Sequence, residues 1–361
     1  MNDRLSRLRA VLAERGLPAL LVSAPANRRY MSGFSGSNGA LLITAEAALI
    51  FTDGRYVIQV GREAPDFSLR EIVIPDRPLS ELLIEASVEL NLRTVGIEAA
   101  HVSVAEHYAL AKTMFDSPVE LDPVEGIVES LREVKDADEL ATLRKAIAIT
   151  DAAITAVIPQ LRPDMTERQA AWMLEVAMHE GGGDTISFPI IVAAGPNSAL
   201  PHARPSNDLL GEGRPIIIDM GALLDGYHAD LSRTICLGEP DAQFRTIYGI
   251  VLEAQQRALA GLRPELRCNA ADALARDYIT AAGYGEQFGH GLGHGVGLDI
   301  HEGPSLRRAA AGREQNGPRL QVGNVTSVEP GIYLEGWGGV RIEDLALITA
   351  DGCEVLSKAD K

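Results

Sequence analysis

Five residues in the C-terminal part of the chain form a set that metal chemistry would need: Asp219, Asp230, His294, Glu329 and Glu343. Four are carboxylates and one is an imidazole. Each lies in a strand-like or glycine-rich segment, where a side chain can be aimed. Hard oxygen donors with a single imidazole suit Mn2+, Co2+ or Zn2+ better than a structural zinc knot. Carboxylates that bridge two such ions let a hydrolase generate a nucleophilic hydroxide at neutral pH.

The neighbouring residues say why these five should meet. Asp219 interrupts an apolar run that begins Ile216-Ile-Ile218, which reads as a strand buried on both faces. A carboxylate there must be paired or bound to a cation, because burying it alone costs several kcal/mol. The turn former Asp225-Gly226 lies near the midpoint between Asp219 and Asp230. The spacing predicts a hairpin with the two aspartates facing each other, Cβ atoms about 5 Å apart. Glu329 and Glu343 repeat the pattern about Gly336, inside Gly336-Trp-Gly-Gly339. Two anions that close repel unless a cation sits between them. Any one residue has a plainer reading: Asp219 as a turn aspartate, Glu343 as the partner of Arg341, His202 as a surface histidine. Their joint arrangement carries the argument.

The histidines extend the set. In Phe288-Gly-His-Gly-Leu-Gly-His-Gly-Val-Gly297 glycine recurs at alternate positions, so the stretch is neither helix nor ordinary strand interior. Alternation puts His290 and His294 on one face. His301 follows in Leu298-Asp-Ile-His-Glu302, and His202 stands in Ala199-Leu-Pro-His-Ala203. Ser35-Gly-Ser-Asn-Gly39 is glycine-rich too, but no P-loop lysine follows, so it reads as a structural turn.

The elements that would position these residues follow from periodicity. Leu5, Leu8 and Leu12 mark a helix that Gly16 stops. Strands are predicted over 19–23, 41–44 and 48–52, with a loop from Tyr30 to Gly39. Helix and strand patterns alternate to about Leu121, an α/β unit. Asp122-Pro123 marks a break, so domains are expected over 1–124 and 125–361. Beyond it, 136–161 carries one apolar stripe. A second helix opens at Thr166 with Gln169 three residues on, a capping box, and ends at Gly181-Gly-Gly183. Helices over 241–262 and 270–282 come next, then strands and loops from His290. Two helices followed by strands thus occur twice, which suggests an internal duplication.

The 361 residues exceed one comfortable core, in keeping with two domains. A net charge of −17 argues against nucleic acid or an anionic membrane as partner. Three cysteines without C-x-x-C spacing exclude a disulfide framework and a thiolate zinc site. No signal-peptide pattern and no long apolar run occurs, so a cytoplasmic location is expected.

On these residues the chain resembles the pita-bread metallopeptidases that cleave Xaa-Pro bonds, aminopeptidase P and prolidase. The matching stretches are Leu200-Pro-His-Ala203, Ile218-Asp-Met-Gly-Ala222, Gly226-Tyr-His-Ala-Asp-Leu-Ser-Arg-Thr234, Gly289 through Glu302, Ser327-Val-Glu-Pro-Gly-Ile-Tyr333 and Val340-Arg-Ile-Glu-Asp344. In the first domain they are Tyr30 through Gly39 and Phe51-Thr-Asp-Gly-Arg-Tyr56. The resemblance implies an α+β pita-bread (creatinase/aminopeptidase-like) catalytic domain preceded by a smaller creatinase-like α/β domain. It implies two divalent ions, usually Mn2+ with Zn2+ or Co2+ as alternatives, held by Asp219, Asp230, His294, Glu329 and Glu343, with Asp230 and Glu343 bridging. A hydroxide between the ions would attack the scissile carbonyl. Glu329 would also shuttle a proton to the leaving nitrogen. His202 and His301 would hydrogen-bond the oxyanion or its neighbours, His290 would line the substrate pocket, and Arg341 would hold a carboxylate or contact substrate. A homodimer is implied as well. The Ala199-Leu-Pro-His-Ala203 stretch and compact first domain resemble small bacterial aminopeptidase P, so an Xaa-Pro aminopeptidase is the expected activity. The alternative is an Xaa-Pro dipeptidase, which needs a cation for the dipeptide's carboxylate; Arg28, Arg29 or Arg55 could serve. A metal-free binding module of this fold would require missing ligands, and all five positions are filled.

Overall fold

A computed structural model of the protein describes residues 2–310, 312 and 317–361. The chain divides into two compact units, residues 1–132 and 133–361.

The first unit is built on a mixed six-stranded sheet of β1 (Ala19–Val22), β2 (Ala40–Thr44), β3 (Ala48–Asp53), β4 (Ser68–Ile72), β5 (Thr94–Glu98) and β6 (Glu120–Val124), in the order β4-β3-β2-β1-β5-β6. Its helices are α1 (Asn2–Glu14), α2 (Pro25–Ser32), α3 (Val57–Glu63), α4 (Leu79–Glu89), α5 (Val104–Thr113) and α6 (Ile127–Arg132). Leu5, Leu8 and Leu12 of α1 are buried, as their spacing requires. Two features differ from the sequence expectation. Asp122-Pro123 lies inside β6, where proline is tolerated because β6 is the sheet's edge. The first three residues of the expected loop at 30–39 complete α2. That helix is capped from a distance: the Ser23 and Ala24 amides each donate to Glu98 Oε2 at 2.6 Å. α6 stays with this unit, because Arg7 and Tyr30 both donate to the Leu131 carbonyl.

The second unit is α+β and runs through its pattern twice. The first pass holds α7 (Ala137–Val157), α8 (Glu167–Glu180), β7 (Thr185–Ile186), β8 (Ile191–Ala194), β9 (Ile216–Met220), β10 (Ala222–Leu224), β11 (Tyr227–His228) and β12 (Leu231–Ile235). The second holds α9 (Ala242–Gly261), α10 (Cys268–Ala281), β13 (Gly293–Gly295), β14 (Glu302–Leu306), β15 (Val325–Val328), β16 (Gly331–Leu334), β17 (Gly338–Arg341), β18 (Asp344–Thr349) and β19 (Gly352–Val355). In each pass an isolated bridge precedes the second helix, Thr166 with Leu209 and Arg267 with Arg319. That correspondence supports the duplication. Both helices of the first pass start with a capping box, Asp136 with Glu139 and Thr166 with Gln169. Each pass packs its helices on its strands: Ile154 and Leu174 bury against Ile216, Ile218 and Leu231, and Val251 and Ala275 join Val328 and Ile348. Among the described residues no helix is long and apolar enough to cross a membrane.

Asp136 accepts from the Asp138 and Glu139 amides, two donors that α7 cannot satisfy internally. Asp136→Ala should therefore lower stability by about 1 kcal/mol, read as a reduced denaturant midpoint with an unchanged slope.

Candidate metal centre

Two strand junctions deliver the four carboxylates. In the second pass β15 pairs with β18 through Val328 and Asp344, and β16 pairs with β17 through Gly331 and Arg341. One register runs through both ladders, so Glu329 and Glu343 stand opposite each other at the junction between them. The first hairpin has a different register. β9 and β12 pair Asp219 with Ser232, and Asp230 lies diagonally, just before β12. The cause is the turn: Asp225 and Gly226 both have positive φ, 47° and 75°, and form a two-residue loop centred between them. This shifts the pairing away from a direct Asp219–Asp230 match. Ser232 gains a use from that shift. Its hydroxyl donates to Glu343 Oε2 at 2.7 Å and accepts from Arg341 Nε at 2.9 Å.

His294 arrives on β13 between two close backbones. A Cβ on Gly293 would lie 2.0 Å from the Ser327 carbonyl oxygen, and one on Gly295 would lie 1.9 Å from that of Gly303. Gly293 and Gly295 are therefore a packing requirement: no Cβ fits at either position. The His294 amide donates to Ser327 Oγ, and its Nδ1 donates to the Gly295 carbonyl at 3.1 Å. This leaves Nε2 facing the acids, 3.3 Å from Glu329 Oε1 and 3.7 Å from Asp230 Oδ2. One donor atom from each of Asp230, His294 and Glu343 falls within 4.8 Å of the others. All five residues line a single cavity of about 390 Å³.

Burial and neighbouring negative charge push Asp230 and Glu343 well above the usual carboxylate range. Asp219 is raised by burial although Arg341 opposes the shift. Glu329, buried yet beside the His294 imidazole, is held down to about 2. Asp219 Oδ1 and Glu343 Oε1 are buried without a hydrogen-bond partner. Orphaned anionic oxygens in a shared cavity, joined by an imidazole nitrogen, fit hard divalent cations.

The other expected residues also line this cavity, in different states. Arg341 is buried with its donors engaged: Nη2 reaches Asp219 Oδ2 at 2.5 Å, Nη1 the Tyr333 hydroxyl at 2.9 Å, and Nε Ser232. It fixes a carboxylate and has little left for substrate. His290 donates from Nδ1 to the Gly291 carbonyl and accepts from the Tyr333 hydroxyl at 2.9 Å. It can therefore offer substrate a ring surface only. Burial pushes the Tyr333 phenol up to about 12. Tyr333 thus joins His290 to Arg341, a role that one phenol inside Glu329-Pro-Gly-Ile-Tyr333 does not announce. His202 and His301 are exposed on the cavity wall. The His301 ring lies edge-on to His294, centroids 4.3 Å apart. Although the residue is exposed at the wall, the part of its ring turned into the cavity is desolvated; this, then the adjacent His294, lowers the His301 pKa and favours the neutral ring.

Comparison with known proteins shows the family. A family model for metallopeptidase family M24 matches residues 141–350, and one for the creatinase/prolidase N-terminal domain matches residues 4–134. The Xaa-Pro dipeptidase of Pyrococcus furiosus is 34% identical over 100% of this chain and 99% of its own. The structure of an Xaa-Pro dipeptidase from Bacillus anthracis superposes with a TM-score of 0.93 at 38% identity, covering 99% of this chain and 98% of that one. An X-Pro aminopeptidase from Thermotoga maritima gives a TM-score of 0.86 at 36% identity, covering 96% and 98%. The α+β pita-bread fold behind a smaller α/β unit, expected from the sequence, stands. This chain belongs to metallopeptidase family M24, with a creatinase/prolidase domain at its N-terminal side.

Proposed function

We propose that the protein is an Xaa-Pro dipeptidase dependent on two divalent metal ions, Mn2+ before Zn2+ or Co2+. Whole-length likeness to the Pyrococcus and Bacillus anthracis dipeptidases carries this reading, and it favours the alternative over the aminopeptidase expected from motifs alone. Asp219, Asp230, His294, Glu329 and Glu343 would hold the ions. Bound, the ions polarise the scissile carbonyl and lower the pKa of water. The chain's own groups do the rest. His202 and His301 donate toward the developing oxyanion. Glu329 carries a proton to the leaving proline nitrogen. Arg341 and Ser232 keep Asp219 and Glu343 in place.

An Xaa-Pro bond has no N–H and ends in a rigid ring. Phe188, Pro189 and Ile191 give the cavity an apolar wall for such a ring. A dipeptide also ends in a carboxylate. Arg28 is buried and engaged by the Gly36 and Gly39 carbonyls, and Arg55 pairs with Asp53. Arg204 and Arg307 line the cavity itself, exposed. Within the unit that holds the centre, these two are the cations that would meet that carboxylate. The likeness to the Thermotoga X-Pro aminopeptidase supports a second reading, in which longer peptides are trimmed.

Hydrolysis rates for Ala-Pro and Ala-Pro-Ala-Ala separate the two. The dipeptidase reading expects turnover of Ala-Pro alone, and comparable turnover of both peptides would replace it with the aminopeptidase. Asp230→Ala should abolish activity and metal retention together. His202→Ala should reduce kcat by about 10²-fold with metal content unchanged, the size of a lost oxyanion donor; metal loss in that variant would contradict the assigned role. Because the raised carboxyls bind protons when no cation is present, Mn2+ binding should release protons, more at lower pH. Calorimetry in buffers of different ionisation enthalpy reads that number directly, and proton uptake would refute this ligand set.

A further inference from the structure

The segment at 357–361, Ser-Lys-Ala-Asp-Lys, is polar and carries no motif. It nevertheless lies along the back of the metal centre, held at four places. Ser357 Oγ accepts from the Leu345 amide, and Asp151 of α7 accepts from the Lys358 and Ala359 amides at 2.8 and 3.0 Å. The Ala359 and Asp360 carbonyls accept from Arg233 Nη2 and Nε at 2.7 and 2.8 Å. Lys361 Nζ reaches Asp344 Oδ2 at 2.6 Å and Gln255 Oε1 at 2.7 Å.

Arg233 is the link. Its side chain is 2% exposed, and it divides its donors between two sides. One side faces the segment. On the other, Nη1 donates to the Glu343 carbonyl at 2.5 Å and to the Ser232 carbonyl at 3.0 Å, while Nη2 also pairs with Asp344 Oδ1 at 2.8 Å. Glu343 and Ser232 are the residues whose side chains meet at the centre. We infer that residues 358–361 are a positioning strap: they lock Arg233 onto the Glu343 backbone and supply the second cation to Asp344, so that Glu343 Oε1 stays aimed into the cavity. Without the strap, two Arg233 donors lose their partners, and Asp344 Oδ2 loses its lysine and keeps only the Gln255 Nε2 donor at 2.8 Å. The guanidinium would turn to chelate Asp344 and release the Glu343 carbonyl. The inference rests on Glu343 being a metal ligand.

The test is Mn2+ titration of metal-free protein, with thermal midpoint recorded alongside. Deleting residues 358–361 should weaken Mn2+ binding about 10-fold or more, the range found when groups that orient metal ligands are lost. Lys361→Met should shift affinity in the same direction by less. Arg144→Ala removes the exposed Arg144–Glu354 pair, which ties the neighbouring hairpin to α7 without touching Arg233; it should leave affinity unchanged whatever it does to stability. A deletion protein that binds Mn2+ within about twofold of the parent overturns the strap. Should the deletion fail to fold, unchanged affinity in Lys361→Met does the same. A parent protein that takes up no Mn2+ refutes the ligand set itself, a result distinct from either.

Discussion

Mutual repulsion among buried carboxylates is the constraint on which this unit turns. Asp219, Asp230, Glu329 and Glu343 share one cavity, and donor atoms of Asp230 and Glu343 come within 4.8 Å. At such a separation each pair of charges costs on the order of a few kcal/mol in a protein interior. Of the cations, Arg341 touches one of the four directly. Arg204 and Arg307 line the same cavity but stand exposed at its edge, so among the described residues the buried acids other than Asp219 meet no guanidinium. A divalent cation among them would relieve the repulsion that Arg341 alone does not.

Holding such a cluster together before cations arrive demands a stiff frame. Glu329 and Glu343 occupy the point where two antiparallel ladders of one register meet. β13 is pressed so closely between β14 and β15 that only glycine flanks His294. Ser232 and Ser327 fill the gaps between ligands with hydroxyls, each accepting from one group and donating to a carboxylate. Sites set on strands in this way hold their geometry better than sites set on loops.

Much of this frame was legible in the sequence because its signals are local. The capping boxes at Asp136 and Thr166 announce their helices within four residues, and the midpoint at Gly336 sets Glu329 opposite Glu343. What escaped depends on distant partners or on backbone sign. The Asp225-Gly226 turn moves the first hairpin's register because both residues take positive φ, which composition does not fix. Glu98, far along the chain, holds the amides that lead into α2, and the last three residues of that helix, 30–32, read as loop. The proline in β6 looked like a break because edge position is a property of the finished sheet. The network of Tyr333, His290 and Arg341 exists only after β16 and β17 have paired.

The division between strand and loop also bears on specificity. The acids and His294 sit on or beside paired strands, whereas His202, Arg204 and Arg307 are exposed on the connections around them. A change in those connections alters which end of a peptide is recognised without disturbing the carboxylate cluster. Relatives of similar identity can then share one centre while differing in the length of peptide they admit. Chains 38% and 36% identical to this one carry the names dipeptidase and aminopeptidase. Overall similarity shows the family, a proline-specific metallo-exopeptidase, and is shared by dipeptidase and aminopeptidase alike, so it bears on the buried acids of the frame more than on the exposed rim where Arg204 and Arg307 stand.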